Sequence, residues 1–141
     1  MLRTELGPVV EAVTQLSHAD IRLRDSAGQL IEIFAREIFE TRRKDVIRLV
    51  ITEGTRFPVL AEFYYREVIA RVIETVRAML RRAVERGELK SDALVRFPQL
   101  LAAPGVVAII WSGLFDRFEP LDIRALLRAH FEVLFDKGSG S

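Results

Sequence analysis

Apolar side chains recur every three or four positions along nearly the whole chain, and no stretch shows the two-residue alternation of a half-buried strand. The pattern predicts an all-α fold, a bundle of about six helices. Leu2, Leu6, Val9, Val13 and Leu16 mark a first helix over 2–17, bent at Gly7-Pro8, where the proline removes a backbone donor and crowds the preceding turn. A polar connection from Ser17 to Asp25 leads to Ser26 and Gln29, whose capping-box spacing predicts a second helix over 27–40. Its stripe is Ala27, Leu30, Ile31, Phe34 and Ile38, with Arg36 and Glu40 outward. A third helix over 44–53 carries Val46, Leu49 and Val50 on one face and stops at Gly54, a residue suited to a left-handed exit. After a turn at Thr55-Arg56-Phe57, Pro58 fits the first turn of a long fourth helix reaching Gly87. Tyr65, Ile69, Val72, Ile73, Val76, Leu80 and Ala83 form its inner stripe, which leaves Tyr64 pointing off it. Ser91 or Asp92 can cap the next segment, which Pro98 and Pro104 interrupt. A final helix over 120–136 carries Ile123, Leu126, Leu127, His130, Phe131 and Leu134 on one face, flanked by Val133 and Phe135.

The run PGVVAIIWSGLF, residues 104–115, holds the hydroxyl of Ser112 and no charge. It is too short for a bilayer, which needs about 20 apolar residues. On a helix turning about 100° per residue, Val107, Ile110, Trp111, Leu114 and Phe118 share one face. Gly105, Ala108, Ile109, Ser112 and Gly113 share the other. Leaving the bulky face wet would forgo about 1.5–3 kcal/mol per side chain, and the sum approaches the roughly 5–15 kcal/mol that holds a whole domain together. A second copy of the chain is the economical cover. The last two helices then pair with their twins about a two-fold axis as a four-helix bundle. The expected interface is Ile110, Leu114, Phe118, Ile123, Leu126, Leu127, His130, Phe131 and Leu134. Spacing alone leaves open which face of the 105–118 helix meets the partner.

The chain has 141 residues and a formal net charge of +1, with 50% hydrophobic and 29% charged residues. That length suits one domain, residues 1–137, with Gly138-Ser139-Gly140-Ser141 read as a linker remnant. The surplus of apolar residues points to a partner surface. A near-balanced charge argues against the broad positive field that binds phosphate backbones, so Arg42, Arg43, Lys44, Arg81, Arg82 and Arg86 read as solvated helix faces. The absence of cysteine excludes disulfides and thiolate metal sites. It fits a cytoplasmic protein, and the start shows no secretory leader pattern.

Catalytic apparatus is not legible. His18 and His130 are far apart in sequence, no metal-ligand spacing occurs, and no nucleophile elbow, phosphate loop or zinc-helix motif is present. No cofactor or metal is expected. Glu53 lies on the apolar side of the third helix and is read two ways: as a contact for a cationic or hydrogen-bonding ligand, or as a carboxylate tied to a neighbouring arginine at a helix end. Phe34, Ile38, Phe57, Ile69 and Trp111 are ordinary core residues one by one, but their concentration suits an apolar pocket. With Glu53 and Tyr65 they are the candidate ligand-binding set. His130 is read as a hydrogen-bonded interface residue.

The run RLVITEGTRFPVLAEFYYREV and the later RAVERGEL resemble the regulatory domain of the tetracycline-repressor (TetR) family, particularly its AcrR-like branch. LLAAPGVVAIIWSGLF and PLDIRALLRAHFEVLF resemble the dimerisation helices of one group in that branch. The resemblance implies an all-helical domain that senses a small lipophilic effector and forms homodimers through helices over 100–118 and 120–136. It further implies a bacterial transcription regulator whose DNA-reading helix-turn-helix lies outside this sequence, so that the chain is an excised regulatory domain with no operator binding of its own. In such a regulator an effector entering among the helices shifts the connecting helix and changes the spacing of the two DNA readers. A purely structural dimerisation module and a small helical enzyme are the competing readings.

Overall fold

The computed structural model describes residues 10–16 and 22–140. Among the described residues every regular element is helical. α1 spans 10–16 and α2 spans Leu23–Glu32, continued without a break by a π-helical segment, Ile33–Phe39. After α3, Arg43–Glu53, comes one long rod: α4 (Pro58–Tyr64), a second π-helical segment (Tyr65–Ile69) and α5 (Ala70–Glu85). A short α6 (Ala93–Arg96) precedes α7 (Gln99–Leu114) and α8 (Ile123–Gly140). The calls on Leu2, Leu6, Val9, the Gly7-Pro8 bend and His18 lie outside the described residues.

Several helix ends differ from the spacing-based expectation, each for a local reason. α2 begins at Leu23, not after Ser26, because Leu23 is drawn into the core beside Leu80, Ala83 and Phe135. Ser26 is therefore buried within the helix, and its hydroxyl donates back to the carbonyl oxygens of Leu23 (3.0 Å) and Arg22 (3.3 Å) instead of capping. Gly54 ends α3 in a right-handed conformation (φ −62°). Its use there is close approach: a Cβ would meet Ala61 of α4 at 3.3 Å and the Val50 carbonyl oxygen at 2.5 Å. Gly87, by contrast, has φ +81°, and the Glu88 and Gly87 amides donate back to Ala83 (2.9 Å) and Val84 (3.0 Å), a Schellman close to the long rod.

Pro104 does not interrupt a helix but lies inside α7. Proline at this position cannot donate to the carbonyl of Leu100, four residues earlier, and that oxygen instead lies 2.9 Å from Nε2 of His130 on α8. The carbonyl can only accept, so the ring nitrogen is the donor. α7 ends at Leu114, so Phe118 sits in the following turn. α8 starts three residues after Pro120, where the Asp122 carboxylate accepts from the Ala125 amide at 3.2 Å.

Three apolar clusters hold the bundle together. Leu16, Leu23, Met79, Leu80, Ala83, Leu94 and Phe135 join α1, α2, α5, α6 and α8. Ile31, Ala108, Ile123 and Leu127 join α2, α7 and α8. A third, around Tyr64 and Val68, fills the space among α1, α3 and the two π-helical segments. Arg124 at the start of α8 reaches Glu32 (Nε to Oε2, 2.9 Å) and Glu40 (Nη1 to Oε2, 2.7 Å), clasping α8 to both ends of the first π-helical segment.

Candidate functional site

The Tyr64 cluster encloses a tyrosine in an apolar lining. Tyr64 and Val68 are enclosed by half-buried residues: Val10 from α1, Ile38 from the first π-helical segment, Ile47 and Val50 from α3, and Ile69 and Val72 from the rod. A π-helical segment fits an extra residue into its turn, so the inward face slips by one position on passing through it. The regular stripe through Val72, Val76, Leu80 and Ala83 projects back to Ile69 and Tyr65, yet the fully buried positions are Val68 and Tyr64. Tyr64 is 5% exposed and Tyr65 56%, the reverse of the expected assignment. Burial pushes the Tyr64 hydroxyl up to about 12.

α3 links this cluster to α7. Ile47 and Val50 enter the cluster, while Arg48 between them turns to α7 and donates through Nη2 to the Ile109 carbonyl (2.9 Å) and Ser112 Oγ (2.7 Å). Gly113 lies against the Arg48 guanidinium, where a Cβ would collide, and Gly105 lies 3.0 Å, measured from an added Cβ, from the ring of Phe34. The small-residue face of α7, with Ala108 and Ile109 fully buried, therefore packs inside the subunit. The bulky face points away, with Val107 half-exposed, Leu114 60% exposed and Phe118 71% exposed. On α8, Val133 is exposed, whereas Ile123 (7%) and Leu127 lie in the subunit's own core.

The family described as tetracyclin repressor-like, C-terminal domain, matches residues 22–129. The chain belongs to this family. No curated protein matches it, and no solved structure does. TetR-like C-terminal domains are typically involved in ligand binding and dimerisation of their regulators, and the family is non-catalytic. No helix among the described residues of this TetR-like domain is long and apolar enough to cross a membrane.

Within the TetR-like domain the expected ligand-binding residues are scattered. Ile38 and Ile69 line the Tyr64 cluster. Phe34 packs instead against Gly105 and the α2–α7–α8 core. Glu53 pairs with Arg56 (3.3 Å) at the end of α3, the arginine-tied reading, and the half-exposed Phe57 sits beneath the same guanidinium at 5.3 Å. Tyr65 is on the outside. Trp111 commits its indole N–H to the Glu119 carbonyl (2.8 Å) and meets Phe115 edge-on, bracing the turn after α7. Sequence reasoning missed Tyr64 and Val68, whose phase on the rod is reset by the π-helical segment, and Ile47, which shares an ordinary i, i+3 face of α3 with Val50.

Corrections also apply on the outer faces. Of the expected interface residues, Ile123 and Leu127 are internal, and Leu126, Phe131 and Leu134 pack against the subunit's core, because α8 uses that stripe to close the bundle. Leu49, expected on the inner face of α3, is exposed because Ile47 and Val50 take that side. Arg43 is not a solvated charge: it is largely covered and donates to the Glu37 carbonyl at 2.7 Å.

Proposed function

We propose that this chain is the effector-sensing and homodimerising domain of a bacterial, cytoplasmic TetR-family transcription regulator. Two copies join through the bulky face of α7 and the turn that follows it, with Ile110, Leu114 and Phe118, and through α8, including the exposed Val133 and the half-buried His130. A small lipophilic molecule binds at the Tyr64 cluster and biases the dimer between two arrangements, which changes how a DNA-reading module of the complete regulator is presented. Such a bias requires the ligand to prefer one arrangement. Arg48 supports the coupling, since α3 touches the cluster on one side and grips α7 on the other.

The observation that carries this reading is the outward stripe Val107, Leu114 and Phe118, backed by a glycine- and alanine-rich face packed inside the subunit. Sedimentation velocity at micromolar concentration tests it. The wild-type chain is expected to sediment as a dimer. A Leu114→Glu/Phe118→Glu variant is expected to sediment as a monomer with its helical circular dichroism retained, since neither side chain is internal. A stable wild-type monomer would contradict the reading. A dimer that no lipophile stabilises would be a purely structural dimerisation module.

A further inference from the structure

With the inner stripe of α8 spent on the subunit's own core, its outward side consists of Ala125, Arg128, Ala129, Glu132 and Val133, all exposed. At about 100° per residue these five share one sector of the helix. We infer, resting on the homodimer reading above, that α8 crosses its twin antiparallel about a two-fold axis at Ala129. Ala129 then meets the partner's Ala129, and Arg128 pairs with Glu132 of the partner subunit, once on each side of the axis.

Ala125, Ala129 and Val133 step along α8 four residues apart, and side chains this small let two helix axes approach at the short end of the usual 8–10 Å or so. The neighbouring helix extends the same surface. Leu100, Ala103, Val107 and Leu114 of α7 are exposed at steps of three, four and seven residues, the seam spacing of helices that pack at a shallow angle in a bundle. The Leu100 carbonyl accepts from the His130 ring at 2.9 Å, so this seam adjoins the part of α8 that bears Ala129 and Val133.

Charge decides the orientation. Arg128 and Glu132 flank the alanines on one side of α8, one turn apart. An antiparallel twin reverses their order, so each arginine meets a carboxylate of the other chain, and the symmetry makes two ion pairs from one i, i+4 couple. A parallel twin sets like charges at equal heights. With Ala129 on the axis, Arg128 stands about 3 Å along the helices from the partner's Glu132, well within reach of a long side chain.

Cysteine cross-linking tests this register, since the chain has no cysteine of its own. Ala129→Cys is expected to oxidise to a covalent dimer, because its Cα falls within the roughly 4.4–6.8 Å a disulfide spans. Ala125→Cys and Val133→Cys are each expected to stay uncross-linked, because antiparallel twins hold either position about 12 Å apart along the helices. Ala125→Cys/Val133→Cys in one chain is expected to cross-link, since the two positions then face each other. Glu132→Arg is the single charge variant of choice, because Arg128 also attracts Glu32 within its own subunit. It is expected to weaken dimerisation roughly tenfold in sedimentation equilibrium at low salt, and Arg128→Glu/Glu132→Arg to regain most of that. A dimer in which Ala125→Cys cross-links by itself, Ala129→Cys does not, or the charge swap fails to recover overturns the register while the homodimer reading stands. A wild-type monomer overturns both. Far-ultraviolet circular dichroism of each variant separates lost association from lost fold.

Discussion

Arg48 shows how one side chain can tie two elements together. Its planar guanidinium reaches the Ile109 carbonyl and Ser112 Oγ together, and Gly113 leaves room for it. Arg48→Ala is expected to cost about 1–2 kcal/mol in urea denaturation. Arg48→Lys should restore little of that, because an ammonium cannot reproduce the forked geometry. His130 plays a related part for the Leu100 carbonyl that Pro104 leaves without its helical donor. That it is hydrogen-bonded was accessible from the sequence, although it was expected as an interface residue and the bond lies within its own subunit. The partner was not, since Leu100 and His130 meet only when α7 and α8 pack.

Among the elements, the long rod carries both a legible and an illegible feature. Its C-terminal stop was legible: Gly87 adopts the positive φ that other residues reach at a cost, so Gly87→Ala is expected to lose about 1 kcal/mol on thermal or urea unfolding. Its phase upstream of Ala70 was not, because an inserted π turn leaves no compositional mark. The Tyr64-Tyr65 pair made the ambiguity acute, since a slip of one residue exchanges the inner and outer rings. The start of α8 depends on a charge clasp instead. The Arg124 hydrogen bond holds the Glu32 carboxyl below its ordinary 4.5. A depressed carboxylate contributes stability that is present above the ordinary value and lost as pH falls through the folded one. The melting temperature is therefore expected to drop on acidification below about 4.5, and to drop less in Glu32→Gln, in a thermal-melt series across that range.

At the scale of the whole molecule, α7 and α8 divide their apolar residues between the subunit's core and its exposed surface. Ile123 belongs to the first group, and Ile123→Ala is expected to cost about 2–4 kcal/mol of unfolding free energy, measured by chemical denaturation. The sequence by itself determined the all-helical class, the uncharged 104–115 run with one bulky and one small-residue face, the proline opening of the rod and its glycine close. These depend on backbone chemistry and side-chain periodicity within one element. Only the tertiary structure decided which α7 face turns inward, that the α8 stripe closes its own bundle, and that Tyr64 rather than Tyr65 is enclosed. Each of those outcomes depends on volume and hydrogen-bond partners contributed by other helices: the Phe34 ring against Gly105, Arg48 against Gly113, and the aliphatic shell around Tyr64. A periodic pattern says that a face must be buried, but the neighbour that buries it is chosen by packing.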